Sequence, residues 1–103
     1  MTDPGLVFGA LADDTRRAVF MRVAAGGQAT ASSLARDLPV TRQAVAKHLS
    51  LLAGAGLVES ERVGRETRFH ARSEPLSDAI DWMATVGARW DDRLARLARL
   101  AHS

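Results

Sequence analysis

Apolar and polar positions divide this 103-residue chain into several short helical periods, one alternating stretch and a long final helical period. Asp3 followed by Pro4 predicts a first helix, because proline at the first helical position lacks only an N–H that the helix leaves unbonded. That helix carries Leu6, Val7, Phe8 and Leu11. A second helix is predicted from Asp13 or Asp14, whose carboxylates suit a helix N-terminus. Val19, Phe20, Val23 and Ala24 form its inward face, Arg16, Arg17 and Arg22 fall mostly outside, and Gly26-Gly27 ends it. A short third helix runs from a Thr30 cap to Leu38, burying Leu34, Ala35 and Leu38, and Pro39 stops it. After the turn Pro39-Val40-Thr41, a fourth helix starts on Thr41 as its cap. Val45, Leu49 and Leu52 are spaced i, i+4, i+7, which gives one inward stripe. Gly54 and Gly56 close this helix.

The period then changes. Leu57 to Val63 and Glu66 to Ala71 read as two strands around Gly64-Arg65, where glycine at the first loop position fits a type II′ turn. In that register Arg62 faces Thr67, Glu61 faces Arg68 and Ser60 faces Phe69. Val58, Phe69 and Ala71 share a face that packs on the helices. Glu61 and Arg68 are expected to pair across the strands, for ~0.2–1 kcal/mol. Ser73 or Glu74 caps the last helix and Pro75 opens it. Its apolar positions are Leu76, Ile80, Met83, Gly87, Trp90, Leu94, Leu97 and Ala101, alternately four and three residues apart. Such a helix of about 26 residues is roughly 39 Å long. It outruns the body of a 100-residue domain, whose radius of gyration is roughly 13 Å. Trp82, Val86 and Leu100 add apolar surface off the stripe, so a second chain is expected to cover it.

The fold class is therefore mostly α with a small β-hairpin. The chain reads as a single domain over 1–103. A helix-turn-helix occupies about 30–55, a wing about 57–71, and a C-terminal dimerisation helix about 75–101. A short helix, a tight turn and a second helix with an exposed polar start are the parts of a helix-turn-helix, and a hairpin directly after it is a wing.

Charge follows the same division. The net charge is only +2, but residues 40–72 carry six basic and three acidic groups. The flanking thirds sum to zero and −1. The positive excess thus falls on the helix-turn-helix and wing. The absence of cysteine excludes disulfides, zinc–thiolate sites and thiol nucleophiles. No 18-residue apolar run is present. Asp13, Asp14, Arg16 and Arg17 interrupt any signal-peptide stretch in residues 1–30. The expected localisation is cytoplasmic, with no membrane partner. No P-loop, Gly-x-Ser-x-Gly elbow or His-Glu-x-x-His motif occurs, and no His converges with a carboxylate, so no enzyme is expected.

Three runs resemble the ArsR-type (ArsR/SmtB) winged helix-turn-helix transcriptional repressors. They are Leu11-Ala-Asp-Asp-Thr-Arg-Arg17, then Leu34-Ala-Arg-Asp-Leu-Pro-Val-Thr-Arg-Gln-Ala-Val-Ala-Lys-His-Leu49, and Ala55-Gly-Leu-Val58. The resemblance covers nearly the whole chain, and the second run is its most specific part. It implies a homodimer built from the first and last helices, with two recognition helices on an inverted-repeat operator in double-stranded DNA. The residues expected at the dimer interface are Leu6, Phe8, Leu76, Ile80, Met83, Gly87, Trp90, Leu94 and Leu97.

Relatives of this type that sense metals use a cysteine pair on the third helix, where this chain reads Ala31-Ser-Ser-Leu-Ala35. Others use Asp, His and Glu on the last helix. Here that helix offers Asp78, Asp81, Asp91 and Asp92 but only His102. His48, His70 and His102 are scattered without ligand spacing. The expected cofactor and metal content is none, and the carboxylates read as a solvated face with an Asp92–Arg96 pair. Any effector is unknown. Trp82 and Trp90 read either as dimer core or as a place for an apolar effector.

On the fourth helix the outward positions are Arg42, Gln43, Ala46, Lys47 and Ser50. Glutamine pairs bidentately with adenine and arginine with guanine, each good pair contributing ~1–3 kcal/mol of discrimination. Gln43 and Lys47 are assigned to base edges, and Arg42 to a base or a phosphate. Thr41, Ser32 and Ser33 stand at helix starts, which bind anions. Arg65 at the wing tip is placed in the minor groove or on its backbone, supported by Arg62 and Arg68. His48 packs or touches a phosphate. Two other readings stay open: a metal-responsive repressor with an unrecognised site, and a protein-binding winged helix.

Overall fold

A computed structural model describes residues 3–101. The element order is α1 (Pro4–Leu11), α2 (Asp14–Gly26), α3 (Ala31–Asp37), α4 (Arg42–Gly54), β1 (Val58–Val63), β2 (Glu66–Ala71) and α5 (Glu74–Ala101). This is a winged helix-turn-helix, as the sequence patterns predict.

Side chains start the first four helices. Asp3 accepts from the Gly5 N–H at 2.8 Å and Thr41 from the Ala44 N–H at 3.1 Å. Asp13, and not Asp14, caps α2 by accepting from the Arg16 N–H at 2.8 Å. Thr30 and Ser33 form a reciprocal capping box at α3. The Arg16 N–H holds the Asp13 carboxyl below its ordinary range, with smaller help from His48 and the Arg16 charge. A lowered folded pKa means the cap stabilises fully above the unfolded value of ~3.9 and fades as pH falls through the folded one. Asp13→Ala is thus expected to lower the melting temperature at pH 7. The gap to the unsubstituted protein should narrow at pH 3, as thermal melts at both pH values will read.

The core gathers Val19 and Val23 of α2, Leu34 of α3, Val45, Leu49 and Leu52 of α4, and Leu57 and Val58. The α4 stripe is fully buried. Burying each such side chain stabilises by ~1.5–3 kcal/mol. Ala24 is a correction to the sequence pattern. It is exposed, because one helical step turns it about 100° away from Val23.

Strands β1 and β2 pair in the expected register, Arg62 with Thr67, Glu61 with Arg68 and Ser60 with Phe69. Gly64 has φ +62°, as a primed turn requires. The expected Glu61–Arg68 ion pair does not form. Arg68 Nε instead donates to Glu66 at 3.2 Å, a neighbour two residues back on the same face. Nor does an Asp92–Arg96 pair occur among the described residues. On that stretch Arg93 lies over the Trp90 ring, 5.6 Å from its centroid.

The sequence pattern gives no sign of one further contact. Ala29 exchanges two backbone hydrogen bonds with Phe69, at 2.9 and 2.7 Å. This single bridge stitches the wing to the segment before α3.

Arg72 fastens the start of α5. It donates to Glu59 of β1 at 3.5 Å and also to Glu74, and those carboxylates hold its proton more tightly, Glu74 most. Beyond this anchor α5 leaves the body. Its buried residues are Pro75 and Ala79, and Ala79, which joins the core, lies off the predicted stripe. Phe8 of α1 meets Trp82 of α5 with ring centroids 5.9 Å apart. Farther along, Trp90, Leu94 and Leu97 are 56%, 58% and 61% exposed. The described residues span 69 × 27 × 19 Å, with a radius of gyration of 18.5 Å.

Candidate nucleic-acid interface

Three local structures converge on one face. The capping box turns the chain into α3 at Thr30. The Thr41 cap turns it into α4 directly above Arg42. The primed turn at Gly64 brings Arg65 back toward the helices. Between them lies a cleft of about 410 Å³. Ser32, Arg42, Arg62 and Arg65 all line it, together with Thr30 and Thr67. The sequence places the first four near DNA separately; the fold brings them together. Thr30 and Thr67 are additions, since neither stands at an outward helical position or a wing tip.

Gln43 and Lys47 are exposed on α4. They sit one helical step round from Arg42 and Ala46, which face the cleft. The α4 surface therefore presents two adjacent edges, one toward the wing and one open.

Other expected residues take different positions. Ser33 accepts from the Thr30 N–H and donates to the Thr30 carbonyl, each at 3.0 Å. Its hydroxyl is committed to the cap. Thr41 Oγ1 accepts from the Ala44 N–H but the residue is exposed, which leaves its O–H free to donate outward. Ser50 lines a groove between α1 and α4, with Gly5, Leu6, Gly9 and Ala10. His48 is half-buried, and its Nδ1 is enclosed with no hydrogen-bond partner among the described residues. It stands near the Asp13 cap of α2.

Among the described residues, Arg42, Lys47, Arg62 and Arg65 enter no ion pair, whereas Arg17, Arg22, Arg68 and Arg72 each do. Arg62 Nε donates to the Gly64 carbonyl at 3.3 Å, which steadies the wing turn. Arg42 thus stands without an ion-pair partner in the first turn of α4, where the helix dipole adds its own positive end. Such a face attracts phosphate oxygens and presents donors to base edges.

Among the described residues, no three His, Asp or Glu side chains are grouped as ligands would be. His102 lies outside the described residues. No helix of the described residues is long and apolar enough to cross a membrane.

Comparison with known proteins agrees with this geometry. A family model described as a helix-turn-helix domain matches residues 11–61. The solved structure of an ArsR-like transcriptional regulator from Rhodococcus sp. RHA1 superposes with a TM-score of 0.88 at 44% identity, over 95% of this chain and 92% of that one. The uncharacterized HTH-type transcriptional regulator YuzN of Bacillus subtilis is 39% identical over 80 residues, covering 72% of this chain and 87% of YuzN. The transcriptional repressor SdpR of the same species is 28% identical, covering 85% of this chain and 97% of SdpR. This chain belongs to the ArsR family of helix-turn-helix DNA-binding transcriptional regulators.

Proposed function

We propose that residues 1–103 act as one winged helix-turn-helix unit, that two copies form a homodimer, and that the dimer represses transcription by covering an inverted-repeat operator. The observation that carries this reading is the convergence of Arg42 of α4 with Arg62 and Arg65 of the wing on one cleft. Gln43 and Lys47 read base edges in the major groove, with Arg42 beside them on a base or phosphate. Thr41 and Ser32 hold phosphates, and Arg65 reaches the minor groove. The repressor role also draws on the kinship to SdpR, which carries that role in its name.

The dimer reading rests on α5. Its apolar stripe stays exposed in the single chain, and a second α5 with α1 is the surface that fits it. Two recognition helices about one helical turn, ~34 Å, apart then meet successive major grooves. The protein works in the cytoplasm as a binding protein, not as an enzyme, and needs no metal. An added divalent metal such as Zn²⁺ should leave operator affinity unchanged.

Arg65→Ala should weaken binding across DNA sequences and lower the slope of log affinity against log salt by about one. Salt titrations of the variant and the parent measure this. A change confined to one base pair with an unaltered slope would move Arg65 to a base edge.

The direct test is selection and sequencing of genomic fragments bound by the purified protein at ~150 mM salt. An enriched inverted repeat is the expected result. A folded, dimeric protein that enriches no sequence would contradict the proposal and favour a protein-binding winged helix.

A further inference from the structure

Helix α1 ends in unsatisfied carbonyls, as every helix does. Here two arginines from the next helix meet them. Arg16 Nε donates to the Ala10 carbonyl at 2.6 Å and its Nη2 to the Gly9 carbonyl at 3.3 Å. Arg17 Nη1 donates to the Leu11 carbonyl at 2.7 Å, while its Nη2 holds Asp14. The last three carbonyls of α1 thus each receive a guanidinium N–H. Cations at a helix C-terminus are also favoured by the helix dipole. The sequence pattern put both arginines mostly outside, yet Arg16 is half-buried.

The location of this latch gives it a consequence. Helix α1 has only eight residues, too short to hold a direction unaided. One face of it enters the core through Val7 and Ala10. The neighbouring Phe8 supports α5 at Trp82. The start of α5 is anchored separately, by Arg72 between Glu59 and Glu74. Trp82 stands eight residues farther on, about 12 Å along the helix. Helix α5 is therefore held at its start, where Pro75 and Ala79 are buried, and rests on α1 at Trp82. From Glu74 the 28-residue helix extends about 42 Å, so a tilt of about 5° would move its far end by roughly 4 Å.

We propose that Arg16 and Arg17 are positioning residues for operator reading. By clamping the end of α1 they fix the direction of α5 relative to α4, and so the distance between the two recognition helices. The proposal rests on the dimeric reading above. It predicts a division of effects. The face that reads one half-site lies on α3, α4 and the wing and does not include the latch. Only simultaneous reading of two half-sites depends on it.

The experiment uses the full chain, an operator obtained by selection, a DNA carrying one half-site, and operators with the spacer one base pair longer or shorter. Arg16→Met removes the donors and keeps an unbranched apolar stem. Arg16→Lys keeps the charge and one carbonyl contact. For Arg16→Met, half-site affinity should stay within about two-fold of the parent, while full-operator affinity falls about ten-fold. Its preference for the native spacer should shrink too, and Arg16→Lys should lie between. Unchanged full-operator affinity and spacer preference would overturn the proposal. So would parallel loss at half and full sites, which indicates general damage to the fold. If Arg16→Met shows no cooperative melt, Arg17→Met and Arg16→Lys decide by the same comparison. A parent protein that is monomeric, or binds the half-site as tightly as the full operator, would overturn the dimeric reading itself.

Discussion

Replacing Arg42, Gln43 and Lys47 together by alanine is expected to bring operator binding down to the level of random DNA, a loss of about 10³-fold or more. All three are exposed on α4, and none contributes to the buried stripe of Val45, Leu49 and Leu52. Alanine is the best helix former, so the helix should remain. The loss follows from chemistry alone. Each bidentate base contact contributes ~1–3 kcal/mol of discrimination, and each phosphate contact adds counterion release. Anisotropy titrations on the operator and on scrambled DNA, at one salt concentration, measure the effect. Sedimentation should still show the dimer, because the changes lie far from α5. Operator affinity within about three-fold of the parent would remove α4 from the reading surface.

Trp90→Ala combined with Leu94→Ala is the second large effect. These side chains stand i, i+4 on α5 and are 56% and 58% exposed in the single chain. Such positions stabilise little in a monomer and much in an interface. Burial of each is worth ~1.5–3 kcal/mol, and tryptophan is over-represented among interface residues that dominate binding. The dimer dissociation constant should rise by about 10³-fold. Operator affinity should fall with it, because two half-sites are then no longer read by one linked molecule. An unchanged dimer by sedimentation would mean that this part of α5 is not the interface. Because neither side chain enters the core, circular dichroism should retain the helical signal of the body.

Much of the fold is legible in the sequence because local chemistry and burial agree. Asp3-Pro4, Thr30 and Thr41 mark helix starts, and each side chain forms its cap. The strand register follows from a two-residue loop with Gly64 at its first position. What stays hidden depends on partners distant in sequence. The Ala29–Phe69 bridge involves one residue between two turns, too short to alternate. Ala79 is buried against the core formed by the other elements, and no period within α5 marks that burial. Arg68 turns to Glu66 instead of Glu61 because a strand offers both a cross-strand and a same-face partner.

The candidate interface divides in the same way. Arg42, Gln43 and Lys47 are readable as the outward positions of a helix whose inward stripe is unambiguous. Ser33 has the right residue type at the right place, yet its hydroxyl closes the α3 cap. Arg16 lies within the Leu11–Arg17 run, yet its contacts to the α1 carbonyls appear only when α1 and α2 are seen together. Residue type and period locate a surface; hydrogen-bond partners decide which members of it are free to act.

Hydroxyl-radical and methylation footprinting of the selected operator maps where paired α4 helices meet the DNA. A dimer reading through α4 should protect two major-groove patches related by a dyad and centred about 34 Å apart, each with a minor-groove patch from Arg65 beside it. Loss of the minor-groove patches alone is expected for Arg65→Ala. A single protected patch, or uniform protection without a dyad, would contradict recognition of an inverted repeat by paired α4 helices.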